Sequence, residues 1–228
     1  MLEKSGQFLL SEAASLRRIK FAQFRAQVPA LVLLAAAIAL NAFFPSRNLY
    51  SLALALALVA IAWYLFIGLS YRFRQKILQP PASALVSPLQ GKVSFIRHGD
   101  GVTLLGIRKI MLDRVEIRSP HSSCRLDDGA LLVDGIAGKV SFRFNFRRIE
   151  WFPKPDFRAG TLIGMAVGAG TCTVSLPGKP ALPVVVDSPL DAGDIILEEF
   201  SSLPGQPLRE PELILAGKQD PGTKKESL

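Results

Sequence analysis

Cysteine and histidine are scarce in this chain, and their scarcity excludes several kinds of site. The 228 residues include only 2 Cys and 2 His, too few for a disulfide-rich secreted scaffold or a four-cysteine zinc site. We interpret Cys124 and Cys172 as reduced thiols in a cytosolic compartment, and His98 and His121 as solvent-facing turn residues. Since no HExxH, CxxC or P-loop pattern occurs, the sequence predicts neither a metal centre nor nucleotide-phosphate chemistry.

Acidic residues are outnumbered by basic ones, with 19 Asp+Glu against 27 Lys+Arg and a net charge of +8. This excess is not spread over the chain, because residues 77–228 hold 18 basic and 17 acidic residues. The remaining charge flanks the apolar runs, where cations indicate membrane topology. The sequence therefore predicts no nucleic-acid partner.

Two long apolar runs precede the rest of the chain. Val28–Phe44 is 17 residues long, and Leu49–Ser70 is 22 residues long without a charge. At about 1.5 Å per residue each can cross a hydrocarbon core of about 30 Å, the first only marginally. The runs predict a transmembrane helical hairpin over residues 28–70. A signal peptide is excluded because a second, longer run follows directly, and burial in a soluble core would require more surrounding surface than the chain supplies.

Cations lie at both ends of this predicted hairpin, whereas its turn has only Arg47. The positive-inside rule predicts a multi-pass protein of the inner (cytoplasmic) membrane, with its soluble domain on the cytoplasmic side. Residues 1–27 form a cytoplasmic N-terminal segment in this interpretation. Within it, Leu9–Gln27 has apolar residues at helical spacing, which predicts either an amphipathic helix on the leaflet or a polar extension of the first membrane helix.

After the hairpin the chain consists of short β-branched or aromatic runs separated by Gly, Pro and Asp. This pattern predicts a mainly β domain over residues 77–200, followed by a flexible tail over residues 201–228. The expected strands are Ala84–Val86, Lys92–Arg97, Val102–Ile107, Arg114–Arg118, Ala130–Val133, Lys139–Phe146, Thr171–Leu176, Leu182–Val186 and Ile195–Leu197.

A five-residue repeat, Gly-Lys-Val-Ser-Phe, occurs at Gly91–Phe95 and again at Gly138–Phe142. A glycine at a tight turn that opens a strand is typical of barrel-sandwich domains, so we expect a barrel-sandwich-like fold. Carriers of biotin or lipoate have this fold and need an exposed lysine at a hairpin tip. Lys109 is the one candidate, and it lacks the acidic neighbour of such carriers.

Four motifs follow one another in a recognisable order. They are Tyr71-Arg-Phe-Arg-Gln-Lys76, Val86-Ser-Pro-Leu-Gln-Gly-Lys-Val93, Val115-Glu-Ile-Arg-Ser-Pro120 and Ile163-Gly-Met-Ala-Val-Gly-Ala-Gly-Thr-Cys-Thr-Val-Ser-Leu-Pro177. In order and spacing, the chain resembles the short, membrane-hairpin form of the phosphatidylserine decarboxylase family, in which the second motif reads VSPADGKV. The resemblance covers about residues 30 to 197.

The resemblance implies a self-processing decarboxylase. In that family a serine, assisted by an Asp and a His, attacks the carbonyl before it, and elimination converts the new N-terminus into a pyruvoyl group. This group forms a Schiff base with the substrate amine and accepts electrons as CO₂ leaves.

The family's catalytic residues are replaced in this sequence. Its Asp corresponds to Gln90, its His to Cys124 with His121 nearby, and its Ser to Gly170, or to Ala169 if Gly168 is aligned instead. We therefore expect no catalytic site and no cofactor. Thr171 and Cys172 are fallback nucleophiles, and a pyruvoyl group is expected only if the chain cleaves itself at one of them.

The segment Phe142–Phe152 alternates aromatic residues with basic or polar ones. This alternation predicts a half-buried strand. Near a bilayer its end could instead contact anionic headgroups, and the candidate lipid-surface residues are Arg147, Arg148, Trp151 and Phe152.

Together these features predict a membrane-anchored, non-catalytic relative of phosphatidylserine decarboxylase. It would act in phospholipid metabolism or membrane-protein assembly, with membrane phospholipid and other membrane proteins as partners. Two alternatives stay open: an active decarboxylase that cleaves itself at Thr171 or Cys172, and a membrane-tethered barrel-sandwich adaptor.

Overall fold

The structure is a computed structural model of the full chain. It describes residues 2–200 except 45, 75–77, 136–137, 154, 156 and 199, and the side chains of residues 2–12 and 47 are also outside the description. The predicted tail, residues 201–228, lies outside the described residues.

Two long helices open the structure, α1 (Leu2–Phe43) and α2 (Arg47–Ser70). Helix α1 runs without a break through residues 2–27, so the N-terminal segment is continuous with the first apolar helix. At the turn, Ser46 caps α2 by accepting a hydrogen bond from the Leu49 N–H at 3.4 Å, which satisfies one of the free donors of the first helical turn.

Both helices are long and apolar enough to cross a membrane, over Ala13–Phe43 and Asn48–Ser70. In their most apolar stretches only 17% and 11% of the residues are buried by the rest of the protein. The central hairpin of a soluble core would be covered on most sides. The exposure therefore favours association with a membrane over burial in a soluble domain.

Small side chains line the contact between the two helices. Four alanines, seven residues apart on each helix, are almost fully buried: Ala30, Ala37, Ala53 and Ala60. Small residues let helix backbones approach closely, which favours helix association in a bilayer. Gln27 is also buried, and its Nε2 donates to the Tyr64 carbonyl at 3.4 Å, so this polar group has a partner inside the hairpin.

Within the described residues, ten strands form the mainly β domain that the sequence predicts. They are β1 (Leu85–Val86), β2 (Gly91–Gly99), β3 (Val102–Lys109), β4 (Glu116–Arg118), β5 (Cys124–Asp127), β6 (Ala130–Gly135), β7 (Gly138–Trp151), β8 (Leu162–Pro177), β9 (Pro189–Leu190) and β10 (Ile195–Leu197). Seven strands of the large sheet follow the order β5-β6-β7-β8-β3-β2-β9, and β4 adds to β8 as the eighth. Strands β1 and β10 form a separate pair, and all pairings are antiparallel.

The repeat predicts its strands correctly, because the two Gly-Lys-Val-Ser-Phe copies open β2 and β7. Four details differ from the prediction. Leu182–Val186 is not a strand, since Pro180 and Pro183 remove backbone donors from that segment. Strands β5 and β9 were not expected, and β8 begins at Leu162 instead of Thr171.

The core lies between the large sheet and the loops that cover it. Alternate residues of the long strands point inward, and they are fully buried on both β7 and β8: Val140, Phe142, Cys172, Val174 and Leu176. Strand β8 pairs with β3 on one side and with β7 on the other. Gly170 of β8, which corresponds to the family's serine, therefore lies in the middle of the sheet.

Candidate functional site

An apolar cluster joins the hairpin to the β domain. It contains Ile19 of α1, Tyr71 at the end of α2, and Val115, Phe152, Leu162 and Met165 of the domain. All six side chains are buried. The β domain therefore packs directly on both helices, and we call this contact the junction cluster.

A buried ion pair adds to this junction. Arg118 Nη2 lies 3.2 Å from Glu116 Oε2, with side chains 1% and 0% exposed. Both bind the backbone that follows α2, since Glu116 accepts from the Arg74 N–H at 2.8 Å and Arg118 donates to the Arg74 carbonyl at 3.0 Å. Removing one partner of a buried pair costs about 3–5 kcal/mol. The exit of the hairpin is thereby fixed to strand β4.

Sequence reasoning did not identify Glu116 and Arg118 as important. The alternation of apolar and charged residues in Val115–Arg118 is typical of a strand with one face in solvent, whereas all three residues of β4 are buried. Only the three-dimensional packing of Arg74 beside β4 reveals the buried pair.

Gln90, at the family's Asp position, has a structural role here. It lies half-buried before β2, and its Oε1 accepts a hydrogen bond from the Arg114 N–H at 2.9 Å. This bond holds the segment that leads into β4. The amide oxygen is thus already occupied by the backbone, and an amide cannot act as a carboxylate base.

Cys124, at the family's His position, begins β5 and is buried. Burial raises the pKa of its thiol to about 12, against a smaller opposing effect of the hydrogen bond with Ser119. A thiol with so high a pKa is protonated at neutral pH and is a poor base or nucleophile.

His121 is buried, so its interpretation as a solvent-facing residue was wrong. Its Nε2 lies 3.0 Å from the Ala82 carbonyl, and its Nδ1 lies 3.1 Å from the Ser123 N–H. This pattern requires the neutral tautomer with the proton on Nε2. Burial also lowers the pKa of His121. Nδ1 also lies 2.8 Å from the Ser123 hydroxyl, so both ring nitrogens have hydrogen-bond partners.

Gly170, at the family's Ser position, has no room for a side chain. It pairs with Lys109 of β3 and Phe146 of β7. A Cβ atom built on Gly170 would lie 2.2 Å from Phe146 Cδ1 and 2.6 Å from the Asn145 carbonyl oxygen. The Phe146 ring occupies the space that a serine would need, so the position is closed to the family's nucleophile.

The two fallback nucleophiles lie inside the paired part of β8. Thr171 pairs with Arg108 and Asn145, and Cys172 pairs with Ile107 and Phe144. Cys172 is 0% exposed, and burial raises the pKa of its thiol well above the usual range. Attack on the preceding carbonyl would require this strand to leave the sheet on both sides.

The structure does not assemble the three family positions. In the strand order, Cys124 on β5 and Gln90 before β2 lie on opposite sides of β8, which carries Gly170. No hydrogen bond among the described residues joins these three positions. The three family positions therefore offer no nucleophile with a base beside it.

The predicted lipid-surface residues divide into two groups. Arg147 and Arg148 are exposed, because the β7–β8 register shifts between Phe146 and Arg148 and turns both arginines outward. Trp151 is half-buried and packs edge-on against Phe144 at 5.5 Å between ring centroids. Phe152 is 4% exposed and belongs to the junction cluster, so it is not available to a headgroup layer.

A groove between α1 and β7 includes one of these arginines. Its lining contains Arg17, Arg18, Phe21 and Arg25 from α1, together with Arg148 and Glu150 from β7, and its volume is about 430 Å³. The cations of α1 are evident in the sequence, but the strand that faces them is not. We call this feature the basic groove.

Lys109 is also placed differently from an exposed carrier lysine. Its side chain is 1% exposed, and Nζ donates to the carbonyls of Gly168 at 2.9 Å and Ile110 at 3.3 Å. Burial lowers the pKa of Lys109 to about 8, partly offset by Asp113. A buried amine is not accessible to a ligase that attaches biotin or lipoate.

Comparisons with known proteins give no further information on these sites. No protein-family model, no curated protein and no solved structure matches the chain. Within the described residues no group of three or more His, Cys, Asp or Glu side chains is placed to hold a metal ion. Function must therefore be argued from the residues and their geometry.

Proposed function

We propose that this chain is a non-catalytic relative of the phosphatidylserine decarboxylases, anchored in the inner (cytoplasmic) membrane with its β domain on the cytoplasmic side. It acts at the bilayer surface, in phospholipid metabolism or in the assembly of membrane proteins. The order of its motifs supports the relationship, and the cations at both hairpin ends support the orientation.

The observation that carries the non-catalytic assignment is the closed space at Gly170. Formation of a pyruvoyl group requires a side-chain nucleophile at the cleavage position, and a Cβ atom there would lie 2.2 Å from the Phe146 ring. The alternative nucleophiles, Thr171 and Cys172, are held in a strand paired on both sides. We therefore expect the chain to stay intact.

Intact mass and carbonyl trapping test this assignment. The chain is purified in detergent from its own cells, and we expect one species of 24.8 kDa that gains no mass from a hydrazine reagent. A split before Thr171 or Cys172 would instead release a C-terminal fragment of under 60 residues with a blocked, hydrazine-reactive terminus. That result would establish the active decarboxylase. Thr171→Ala and Cys172→Ala, compared as matched variants, would then identify the nucleophile.

The same mass measurement addresses the adaptor alternative. An adaptor that carries a covalent group would show an added acyl or cofactor mass on the intact chain. The burial of Lys109 argues against such an addition at that residue. An unmodified chain favours the non-catalytic relative that contacts lipid or protein at the membrane.

A further inference from the structure

The basic groove concentrates positive charge at one place on the protein. Three arginines of α1 and Arg148 of β7 face it, and among the described residues Glu150 is the only acidic side chain in its lining. Guanidinium groups bind phosphate oxygens through paired N–H donors. The lining is therefore chemically suited to a phosphate.

The helix contribution lies on one face of α1. Arg17, Arg18, Phe21 and Arg25 are spaced so that they share one side of a helix with 3.6 residues per turn. Lys20 is exposed at the same depth but is not part of the groove lining. Only some of the cations in this basic segment therefore line the groove.

The depth of these residues matches the membrane surface. A hydrocarbon core takes up about 20 helical residues, which counted back from Phe43, the last residue of α1, places Arg25 close to its edge. Arg17 and Arg18 lie about 10–12 Å further out along the helix, near the outer part of the headgroup layer. Phe21 is 69% exposed between them, as expected for an aromatic side chain at the interface.

The groove keeps its shape because the domain is fixed to the hairpin. The junction cluster packs Ile19 of α1 against the domain, and the buried Glu116–Arg118 pair holds Arg74. These contacts hold helix α1 and strand β7 facing each other. A preformed site loses less entropy when it binds its ligand.

We propose that the basic groove binds the headgroup phosphate of an anionic phospholipid in the leaflet next to the β domain. This site rests on the membrane placement of the hairpin in the proposed function, and not on the relation to decarboxylases. The arginines contact the phosphate oxygens, and Phe21 lies against the glycerol and upper acyl region. Glu150 lies 3.9 Å from Arg148 in a half-exposed pair, so it competes with the lipid for that arginine.

The test uses the full chain in a non-ionic detergent, titrated with phosphatidylglycerol or phosphatidylcholine and observed by native mass spectrometry. We expect one phosphatidylglycerol to bind at least tenfold more tightly than phosphatidylcholine. Arg18→Gln with Arg25→Gln should weaken phosphatidylglycerol binding by about fivefold for each cation removed. The matched control, Lys20→Gln with Arg143→Gln, removes the same charge from exposed positions outside the groove and should change binding less than twofold.

Glu150→Gln gives a prediction of opposite sign. Because the variant frees Arg148 and removes the negative charge, phosphatidylglycerol binding should tighten severalfold. Equal losses in the groove variant and the control variant would overturn the site, as would weaker binding by Glu150→Gln. Inorganic phosphate is a separate arm, and displacement of the lipid by millimolar phosphate would overturn the assignment to a membrane lipid.

Flotation with vesicles of pure phosphatidylcholine separates this inference from the proposed function. A chain that does not float refutes the membrane hairpin itself. A chain that floats but shows no preference for phosphatidylglycerol refutes only the groove. Near-ultraviolet circular dichroism of every variant checks that the fold is retained, which we expect because the substituted side chains are exposed or, at Glu150, half-exposed.

Discussion

Replacement of Gly170 by serine restores the family's nucleophile in one step, and the structure predicts that this substitution destabilises the fold. The new Cβ atom would lie 2.2 Å from Phe146 Cδ1 and 2.6 Å from the Asn145 carbonyl oxygen, whereas ordinary contacts are 3.4–4 Å. The ring would have to move by more than 1 Å, and the strand backbone would have to move as well. Overpacking of this kind costs about 1–3 kcal/mol, and we expect the upper end because one clash is with backbone.

A second substitution tests whether Phe146 is the cause. Phe146→Ala removes the ring but not the Asn145 carbonyl, so it should relieve part of the strain. The double variant Gly170→Ser with Phe146→Ala should lose less stability than the sum of the losses in the two single variants. We expect a coupling free energy of about 1–2 kcal/mol. Gly99→Ser is the matched control, because a Cβ atom at Gly99 meets no atom within 4 Å.

The free energy of unfolding is measured by urea titration of the full chain in mild detergent. Fluorescence of Trp151, in a Trp63→Phe background, reports on β7, where Trp151 pairs with Gly164 of β8. A Gly170→Ser variant within about 0.5 kcal/mol of the parent, or equal losses at Gly99 and Gly170, would refute the closed-site reasoning. None of these variants should cleave itself, since Gln90 and Cys124 supply no base at the family's Asp and His positions.

Three further predictions concern orientation, thiols and the buried lysine. A reporter fused after Leu228 should be cytoplasmic and one inserted at Ser46 translocated, whereas the reverse result would overturn the topology. Thiol reagents at pH 8 should label neither Cys124 nor Cys172 until the chain is denatured, because both thiols are buried with raised pKa values; rapid labelling of the native chain would contradict this. The pKa of Lys109 is about 8 in the folded protein, below the usual 10.5. Between these two values the unfolded state binds more protons than the folded state. The free energy of unfolding should therefore rise with pH, by up to about 2 kcal/mol from pH 8 to 10. Lys109→Met should lack this rise in urea titrations at the two pH values, and an unchanged rise would show that another group causes it.

Local sequence patterns predict much of the fold. The hairpin follows from two uncharged apolar runs, and most strands follow from β-branched runs bounded by turn residues. The first half of β8 was missed because Leu162–Gly170 is rich in Gly and Ala. Such residues carry little strand preference of their own. Pairing with β4 and β7, which are distant in sequence, determines that part of the strand.

The candidate sites were less predictable, because they depend on contacts between distant segments. The motif order locates Gly170, but only the register of β7 on β8 shows that Phe146 fills the space beside it. Phe152 ends a segment with the alternating pattern of a strand, yet contact with helix α1 buries its side chain. The groove itself exists because α1 and Arg148 meet across more than 120 residues of sequence.

The double attachment at the junction also determines how this protein can meet other molecules. A domain on a flexible tether samples many heights and tilts, whereas this domain is held by Ile19 of one helix and by the chain segment around Arg74 that follows the other. The domain therefore cannot tilt freely relative to the two helices. A molecule that contacts the helices and the domain together therefore meets both surfaces in one fixed arrangement.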